Sequence, residues 1–306
     1  MTISIIIPVY NVAPYLRECL DSVLAETDAA VECICVDDGS TDGSAAILDE
    51  YAKCDSRLHV IHQDNAGVSA ARNAALAALT GDWFAFVDGD DWVDVRTMLE
   101  LVSKAEASGY DGVFVGEQGL MDFYGCVCNK FYRSSTFGHL RFLGGMRYRE
   151  DFCFWIDAYW GVKARWLRTD AKYYHYRSRE GSATSDVTPH AYHDLLFCYV
   201  YALGKMREHG VPFAKLSDVQ VAWFRTRVSG AVHFALRNWR VLSAAERSDA
   251  IALIREINEL AGQNLQSRLV SMMLYGRRIP GWVWCVDALL RIFNKISCKI
   301  TRGLTR

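Results

Sequence analysis

Over the first 116 residues, short runs that are apolar almost throughout alternate with segments of helical composition. This alternation restricts the fold more than any other feature of the chain. ISIIIPV (3–9), VECICV (31–36), LHVIH (58–62), WFAFV (83–87) and DGVFV (111–115) read as strands. PYLRECLDSVLAE (14–26), TDGSAAILDEYAK (41–53), GVSAARNAALAAL (67–79) and DVRTMLELVSKAEASG (94–109) lie between or after them and read as helices. A sheet with one wet face alternates apolar and polar residues, whereas strands covered on both faces do not. Continuous apolar strands alternating with helices therefore predict an α/β fold, a mostly parallel sheet flanked by helices. In such sheets ligands bind beyond the carboxyl ends of the strands. Three of those ends carry polar sequence: PVYN (8–11), DDGSTD (37–42) and DGDD (88–91).

Each end admits a structural and a chemical explanation. A carboxylate leaving the core is unfavourable unless it is paired, hydrogen-bonded or bound to metal. Asp88 and Asp90 form either an Asp-rich turn bent at Gly89 or a pair of hard oxygen ligands suited to Mg²⁺ or Mn²⁺. Asp91 is expected to cap the helix that follows, and Thr41 the helix after DDGSTD. Arg72 sits near a helix start, where the dipole favours anions, so it calls for an acidic partner. Glu150 and Asp151 open an aromatic helix, a placement that dipole complementarity also favours.

Beyond residue 116 the pattern loosens into short aromatic strands and loops, with YYHYRS (173–178) a further strand. From Thr188 the chain reads helical. Thr188 precedes a proline suited to a first helical turn, and SDVQ (217–220) and SAAE (243–246) fit capping boxes. Between Arg277 and Arg306 there are seven Lys/Arg and one acid, Asp287. Trp282, Val286, Leu289, Phe293, Ile296 and Ile300 recur at spacings of three and four, with Arg291, Lys295, Lys299 and Arg302 largely opposite. The stretch 280–306 thus reads as a basic amphipathic helix, which either lies on an anionic membrane surface or packs on the rest of the protein.

Composition narrows the partners. A net charge of −2 gives no sign of nucleic acid, and 51% hydrophobic with 23% charged residues fits a globular core. No apolar stretch reaches 18 residues, and MTISIIIPVYN is too short and lacks the basic flank of a signal peptide. The expected location is cytoplasmic, peripheral on the inner membrane face if the tail binds lipid. Reduced core thiols are then expected for the ten cysteines, including the pairs Cys33/Cys35 and Cys126/Cys128, whose spacing puts both thiols on one face of a strand. His190 and His193, one turn apart, read as a surface pair.

SIIIPVYN, VDDGSTDGS, NAGVSAARN, GDWFAFVDGDDWV, CNKFYRSS, REDFCFW and YYHYRSREGSATS, in this order over residues 3 to 185, resemble the family 2 glycosyltransferases. The resemblance implies a GT-A (Rossmann-like) catalytic domain over 1–185, with a nucleotide-sugar half at about 1–116 and an acceptor half at about 117–185. A helical C-terminal region, 186–306, would follow. It implies that Asp88 and Asp90 hold Mn²⁺ or Mg²⁺ against the diphosphate of the donor. Asp38 would take the nucleotide base in a pocket lined by Pro8, Val9 and Tyr10, and a carboxylate there favours uracil or thymine. Arg72 would face the diphosphate or the metal-site aspartates. Arg177, Arg179 and Ser182 would close over the diphosphate, while Asn129, Lys130 and Glu150 would contact donor sugar or acceptor. Asp151 would be the catalytic base.

The implied activity is inverting transfer of a sugar from a nucleotide-sugar, a UDP-sugar foremost, to a hydroxyl of a glycan or lipid-linked glycan. One sugar would be added at a time, since no Gln-x-x-Arg-Trp element occurs. A catalytically silent nucleotide-sugar-binding module is one alternative, and the intact Glu150–Asp151 pair argues against it. A nucleotidyltransferase would need a glycine-rich basic loop that IPVYNVAPY does not provide.

Overall fold

The computed structural model describes residues 1–26, 30–116, 125–179, 187–211 and 213–261. The elements of the first half are β1 (Ile3–Val9), α1 (Ala13–Leu24), β2 (Val31–Asp37), α2 (Ser44–Cys54), β3 (Leu58–His62), α3 (Val68–Ala77) and β4 (Trp83–Phe86). There follow β5 (Trp92–Val93), α4 (Val95–Ala107), β6 (Gly112–Val115), β7 (Lys130–Arg133), α5 (Ser134–Phe137) and α6 (Glu150–Ile156). A π-helical turn, Asp157–Gly161, continues α6 and leads to β8 (Trp166–Thr169) and β9 (Tyr174–His175). The remainder is helical, with α7 (Tyr192–Glu208), α8 (Asp218–Arg237) and α9 (Ala244–Leu260).

The main sheet runs β3-β2-β1-β4-β7-β6-β8 among the described residues. β1 is parallel to β2 and β4, β2 to β3, and β6 to β8, while β7 alone runs against both its neighbours. The expected mostly parallel α/β sheet is therefore present. Register explains why the polar ends meet. Ile3 pairs with both Val31 and Trp83, so β1, β2 and β4 start level and their carboxyl ends open on one side.

Both faces are dry, which is why these strands lack alternation. Ile3, Ile5, Ile7, Cys33, Cys35, Trp83 and Ala85 pack toward Leu16, Leu20, Met98 and Val102 of α1 and α4. Ile6, Ile34, Val36, Phe84 and Phe86 face Ala71 and Ala75 of α3 and the α6 rings Phe154 and Trp155. α6 is covered on its other side by the C-terminal helices, where Phe152, Cys153 and Ile156 join Leu196, Leu203, Phe224, Val232 and Ile254. A short aromatic helix thus ties the sheet to the helical region.

Several local expectations hold and others need correction. The capping boxes at Ser217 and Ser243 both form. Pro189 follows Thr188, as expected, but opens a 3-10 turn before α7, and the Thr188 side chain makes no cap bond. YYHYRS contributes only Tyr174–His175, and this strand leaves the main sheet to pair with β5. Asp91 does not cap α4; that part belongs to Asp94, whose carboxylate accepts from the Thr97 amide at 3.1 Å. Nor does Thr41 cap α2, which starts at Ser44 with Asp42 Oδ1 accepting from the Ser44 amide at 2.9 Å. Among the described residues no helix is long and apolar enough to cross a membrane. The segment 280–306 and Ser182 lie outside the described residues.

Candidate active site

The site begins with two loops tied together. Asn11 takes a left-handed conformation, φ +52°, which asparagine tolerates better than most residues. There its Oδ1 accepts from the Thr41 amide at 2.8 Å, and its own amide donates to Ser40 Oγ at 3.1 Å. The amides of Val12 and Ala13 donate to Ser44 Oγ and Asp42 Oδ2. PVYN and DDGSTD therefore form one rim. The DGDD turn packs directly on it, since a Cβ on Gly89 would lie 3.3 Å from the Pro8 carbonyl and 3.2 Å from Val12 Cγ2.

Val9 is buried at this rim and Tyr10 is exposed. Asp38, buried beside them, donates its amide to the Val9 carbonyl at 2.9 Å. Its carboxylate accepts from Gln63 Nε2 (2.6 Å) and from the amides of Ala66 (2.9 Å) and Gly67 (2.8 Å). Asp38 thus fastens the loop that carries the chain into α3, and with it Arg72.

Arg72 is buried and bridges two carboxylates. Nη2 donates to Asp88 Oδ1 at 3.0 Å, and Nη1 to Glu150 Oε1 at 2.8 Å. Its cation also lies 5.2 Å from the Phe142 ring and 6.0 Å from that of Phe86. Burial works against this charge, but Asp88 and Glu150 outweigh it and hold the guanidinium pKa well above its usual range. The acidic partner that the position of Arg72 demanded is present, at Asp88, and a second carboxylate, Glu150, joins it.

Asp88 has two further supports: Cys128 Sγ donates to Oδ2 at 3.4 Å, and the Asp88 amide donates to the Tyr174 hydroxyl at 3.1 Å. Asp90 is engaged by arginines, with Arg179 Nε 2.5 Å from Oδ2 and Arg177 Nε 2.9 Å from its carbonyl. Arg177 also pairs with Glu18 and lies 4.7 Å from the Trp92 ring. Asp91 is buried and accepts from the Tyr174 hydroxyl (2.6 Å) and the Arg177 amide (2.7 Å). Burial pushes its pKa up to about 6 despite those bonds.

The left-handed turn at Arg149, φ +66°, delivers Glu150 and Asp151 to the first turn of α6. Asp151 is half-buried, and its Oδ1 accepts from the Phe152 amide at 2.7 Å. Burial raises both carboxyls above the ordinary range, and the Asp151 charge adds to this at Glu150, whereas Arg72 pulls both down. Asp151, raised to about 6, stays largely ionised at neutral pH and becomes a better proton acceptor, whereas Glu150, at about 7, is part-protonated there.

Of the residues singled out by sequence, Arg72 contacts Asp88 and Glu150, and Arg177 and Arg179 contact Asp90; the DGDD turn joins the two groups, and Asp151 follows Glu150 in the chain. Asn129 and Lys130 make contacts of their own, and the Asp151 charge acts on Lys130. Asn129 Nδ2 donates to the Val115 carbonyl at 2.6 Å. Lys130 is fully buried, donates to the Cys126 carbonyl and to Asn129 Oδ1, and lies 4.3 Å from the Trp155 ring. Burial pushes its pKa down to about 7.

Sequence inspection passed over Tyr174 and Cys128. The double tyrosine in YYHYRS marked a strand, not a hydroxyl aimed at DGDD. Cys33 and Cys35 are core thiols as expected, 3.5 Å apart on β2. Cys126 and Cys128 precede β7 and do not share a strand face, which corrects the expectation for that pair.

Among the described residues no group of three or more His, Cys, Asp or Glu gathers that could enclose a metal. Two neighbouring carboxylates with hard oxygens fit an ion that draws its other ligands from phosphate and water, the habit of Mg²⁺ and Mn²⁺.

Residues 4–156 match the family described as Glycosyl transferase family 2. The chain is 42% identical over 134 residues to the uncharacterized glycosyltransferase EpsJ of Bacillus subtilis, covering 44% of this chain and 35% of that protein. It is 30% identical over 213 residues to the poly(ribitol-phosphate) beta-glucosyltransferase of Bacillus spizizenii, covering 60% of this chain and 34% of the relative. The chain thus spans about a third of the length of these relatives. The crystal structure of S. aureus TarS 1-349 in complex with UDP-GlcNAc superposes with a TM-score of 0.65 at 21% identity, over 90% of this chain and 87% of that one. That likeness is one of fold, the GT-A sheet followed by a helical region.

Proposed function

Because the chain belongs to glycosyl transferase family 2, we propose that it is an inverting, metal-dependent glycosyltransferase. It moves a hexosyl or N-acetylhexosaminyl group from a nucleotide-sugar to a hydroxyl of a glycan or lipid-linked glycan. The observation that carries this reading is the ion chain Asp88–Arg72–Glu150, which links the carboxylates of the DGDD turn to the helix that bears Asp151.

In this reading Asp38, Pro8, Val9 and Tyr10 receive the nucleotide base and Asp88 and Asp90 hold a divalent ion. When bound, the ion neutralises the diphosphate leaving group. Arg177 and Arg179 already sit on the DGDD turn, where they add positive charge beside the leaving group. Asp151 takes the proton of the acceptor hydroxyl as its oxygen attacks the anomeric carbon from the face opposite the diphosphate, which inverts the configuration. No bond forms between enzyme and sugar. Asn129, Lys130 and Glu150 shape the sugar and acceptor side.

The TarS complex holds UDP-GlcNAc, which favours a UDP-sugar as donor. The poly(ribitol-phosphate) beta-glucosyltransferase favours a cell-envelope polymer or its lipid-linked precursor as acceptor. The basic stripe of 280–306 would then rest on an anionic membrane surface on the cytoplasmic side, and its removal should lower binding to anionic vesicles.

A thermal-shift series with UDP-, GDP- and dTDP-sugars, with and without Mn²⁺, tests the donor and metal assignment together. A ligand at 100 times its Kd adds about 2.7 kcal/mol of stability. The Mn²⁺-dependent part of that shift should vanish in Asp88→Ala/Asp90→Ala. A metal-dependent shift that survives in the double variant ends the metal assignment.

A further inference from the structure

Arg72 carries one positive charge and serves two carboxylates. Its side chain is 5% exposed and that of Glu150 12%, whereas Asp88 is 36% exposed and opens on the site. Arg72 Nε has no hydrogen-bond partner among the described residues, so the two terminal nitrogens provide its anchorage. With Phe86 and Phe142 around the guanidinium, little water reaches it to screen either pair. Asp88 is also held from two other elements, by Cys128 and by the Tyr174 hydroxyl.

From this geometry we infer that Glu150 is a positioning residue for the metal at Asp88: by drawing on the Arg72 charge it leaves Asp88 free to bind a divalent cation. The inference rests on the proposed role of Asp88 as a metal ligand and deepens it. With all three groups ionised, two carboxylates and one guanidinium leave the triad with a net charge of −1. Without the Glu150 charge the triad is neutral, and Arg72 competes for Asp88 alone. Metal affinity at the donor end is thereby set from α6, the helix that also begins with Asp151. A residue of the acceptor half then governs the readiness of the nucleotide half.

Glu150→Gln is the direct test, because its amide oxygen still accepts from Arg72 Nη1 while the charge is gone. Mn²⁺ binding is read from the free-ion signal in electron paramagnetic resonance, and UDP binding in EDTA by calorimetry. Removing the unit charge that shares Arg72 with Asp88 should weaken Mn²⁺ binding by about tenfold or more. Metal-free UDP should bind as well as before or better, since the site has become more positive. The double variant Arg72→Gln/Glu150→Gln restores the net charge of −1 and should recover Mn²⁺ affinity.

Unchanged Mn²⁺ affinity in Glu150→Gln overturns the inference. So does a parallel loss of Mn²⁺ and metal-free UDP binding, or a double variant weaker than the single one, since each points to a structural role. If the unaltered protein binds no Mn²⁺, the metal assignment itself fails and the inference falls with it. That outcome differs from the case in which the unaltered protein binds and Glu150→Gln binds equally well.

Discussion

Tyr174→Phe removes one oxygen that makes two bonds while keeping the ring. The hydroxyl donates to Asp91 Oδ2 at 2.6 Å and accepts from the Asp88 amide at 3.1 Å. A hydrogen bond to a charged group contributes roughly 1.5–3 kcal/mol, and stranding a buried donor costs about 1 kcal/mol or more. The sum at pH 8 is about 2.5–4 kcal/mol. At about 2–4 °C per kcal/mol for a chain of this order of size, the melting temperature should fall by roughly 5–16 °C.

The loss should also depend on pH, with a definite sign. Burial raises the Asp91 pKa to about 6, from about 3.9 for an unfolded chain. For an acid shifted upward, stability is greatest where both states are protonated, and it falls as pH rises from about 4 to about 6. The Tyr174 hydroxyl stabilises the ionised form, so its removal is felt most above that window. At pH 4.5, with Asp91 largely protonated in the folded state, a neutral bond of about 1 kcal/mol is lost in place of the stronger one. Thermal unfolding of both proteins at pH 4.5 and pH 8 measures this. A shift of the same size at both values, or one below about 1 °C at pH 8, would refute the account of Asp91.

Asp151→Asn keeps shape and removes basicity, so steady-state UDP release should drop by about 10²–10⁴-fold with donor affinity little changed; near-normal turnover would pass the role of base to Glu150. Since burial raises the Asp151 pKa, the acid limb of the turnover profile should lie above the ordinary carboxylate range near pH 4. A limb at or below that range contradicts the buried placement. Arg179→Ala frees Asp90 Oδ2, so Mn²⁺ should bind severalfold more tightly in the absence of nucleotide, and calorimetry showing equal affinity would deny the competition. Ser243→Ala opens the capping box of α9 and should cost about 1 kcal/mol, measured by urea unfolding; no loss would mean that α9 is held by packing alone.

Periodicity alone was enough for β1, β2, β4 and β6, because burial on both faces leaves its mark on nearly every residue of a central strand. ISIIIPV is apolar throughout for the reason the structure displays, with Ile5 and Ile7 on one face and Ile6 on the other. The capping boxes at Ser217 and Ser243 were equally legible, since both partners lie within four residues. Placement of the polar turns at strand ends was local information too. It drew attention to Asp88 and Asp90, as placement at helix starts did to Arg72 and Glu150, but their roles at one site came from the resemblance to the family 2 glycosyltransferases.

What the sequence did not reveal depends on elements far apart in the chain. Asp91 looked like a helix cap because an acid just before a helical pattern normally is one. β5 pairs with β9, however, so Trp92 and Val93 are spent in a strand and the helix starts later, leaving the cap to Asp94. Asp91 then meets Tyr174, 83 residues away, and Arg72 meets Glu150 across 78. β7 enters the sheet antiparallel between β4 and β6 and carries the preceding loop, with Cys128, against Asp88. Local sequence encodes which backbone conformation a segment prefers and which of its faces avoids water. The partner of a buried charge is decided only when packing removes water, because only then must each carboxylate find its cation or hydroxyl within the protein.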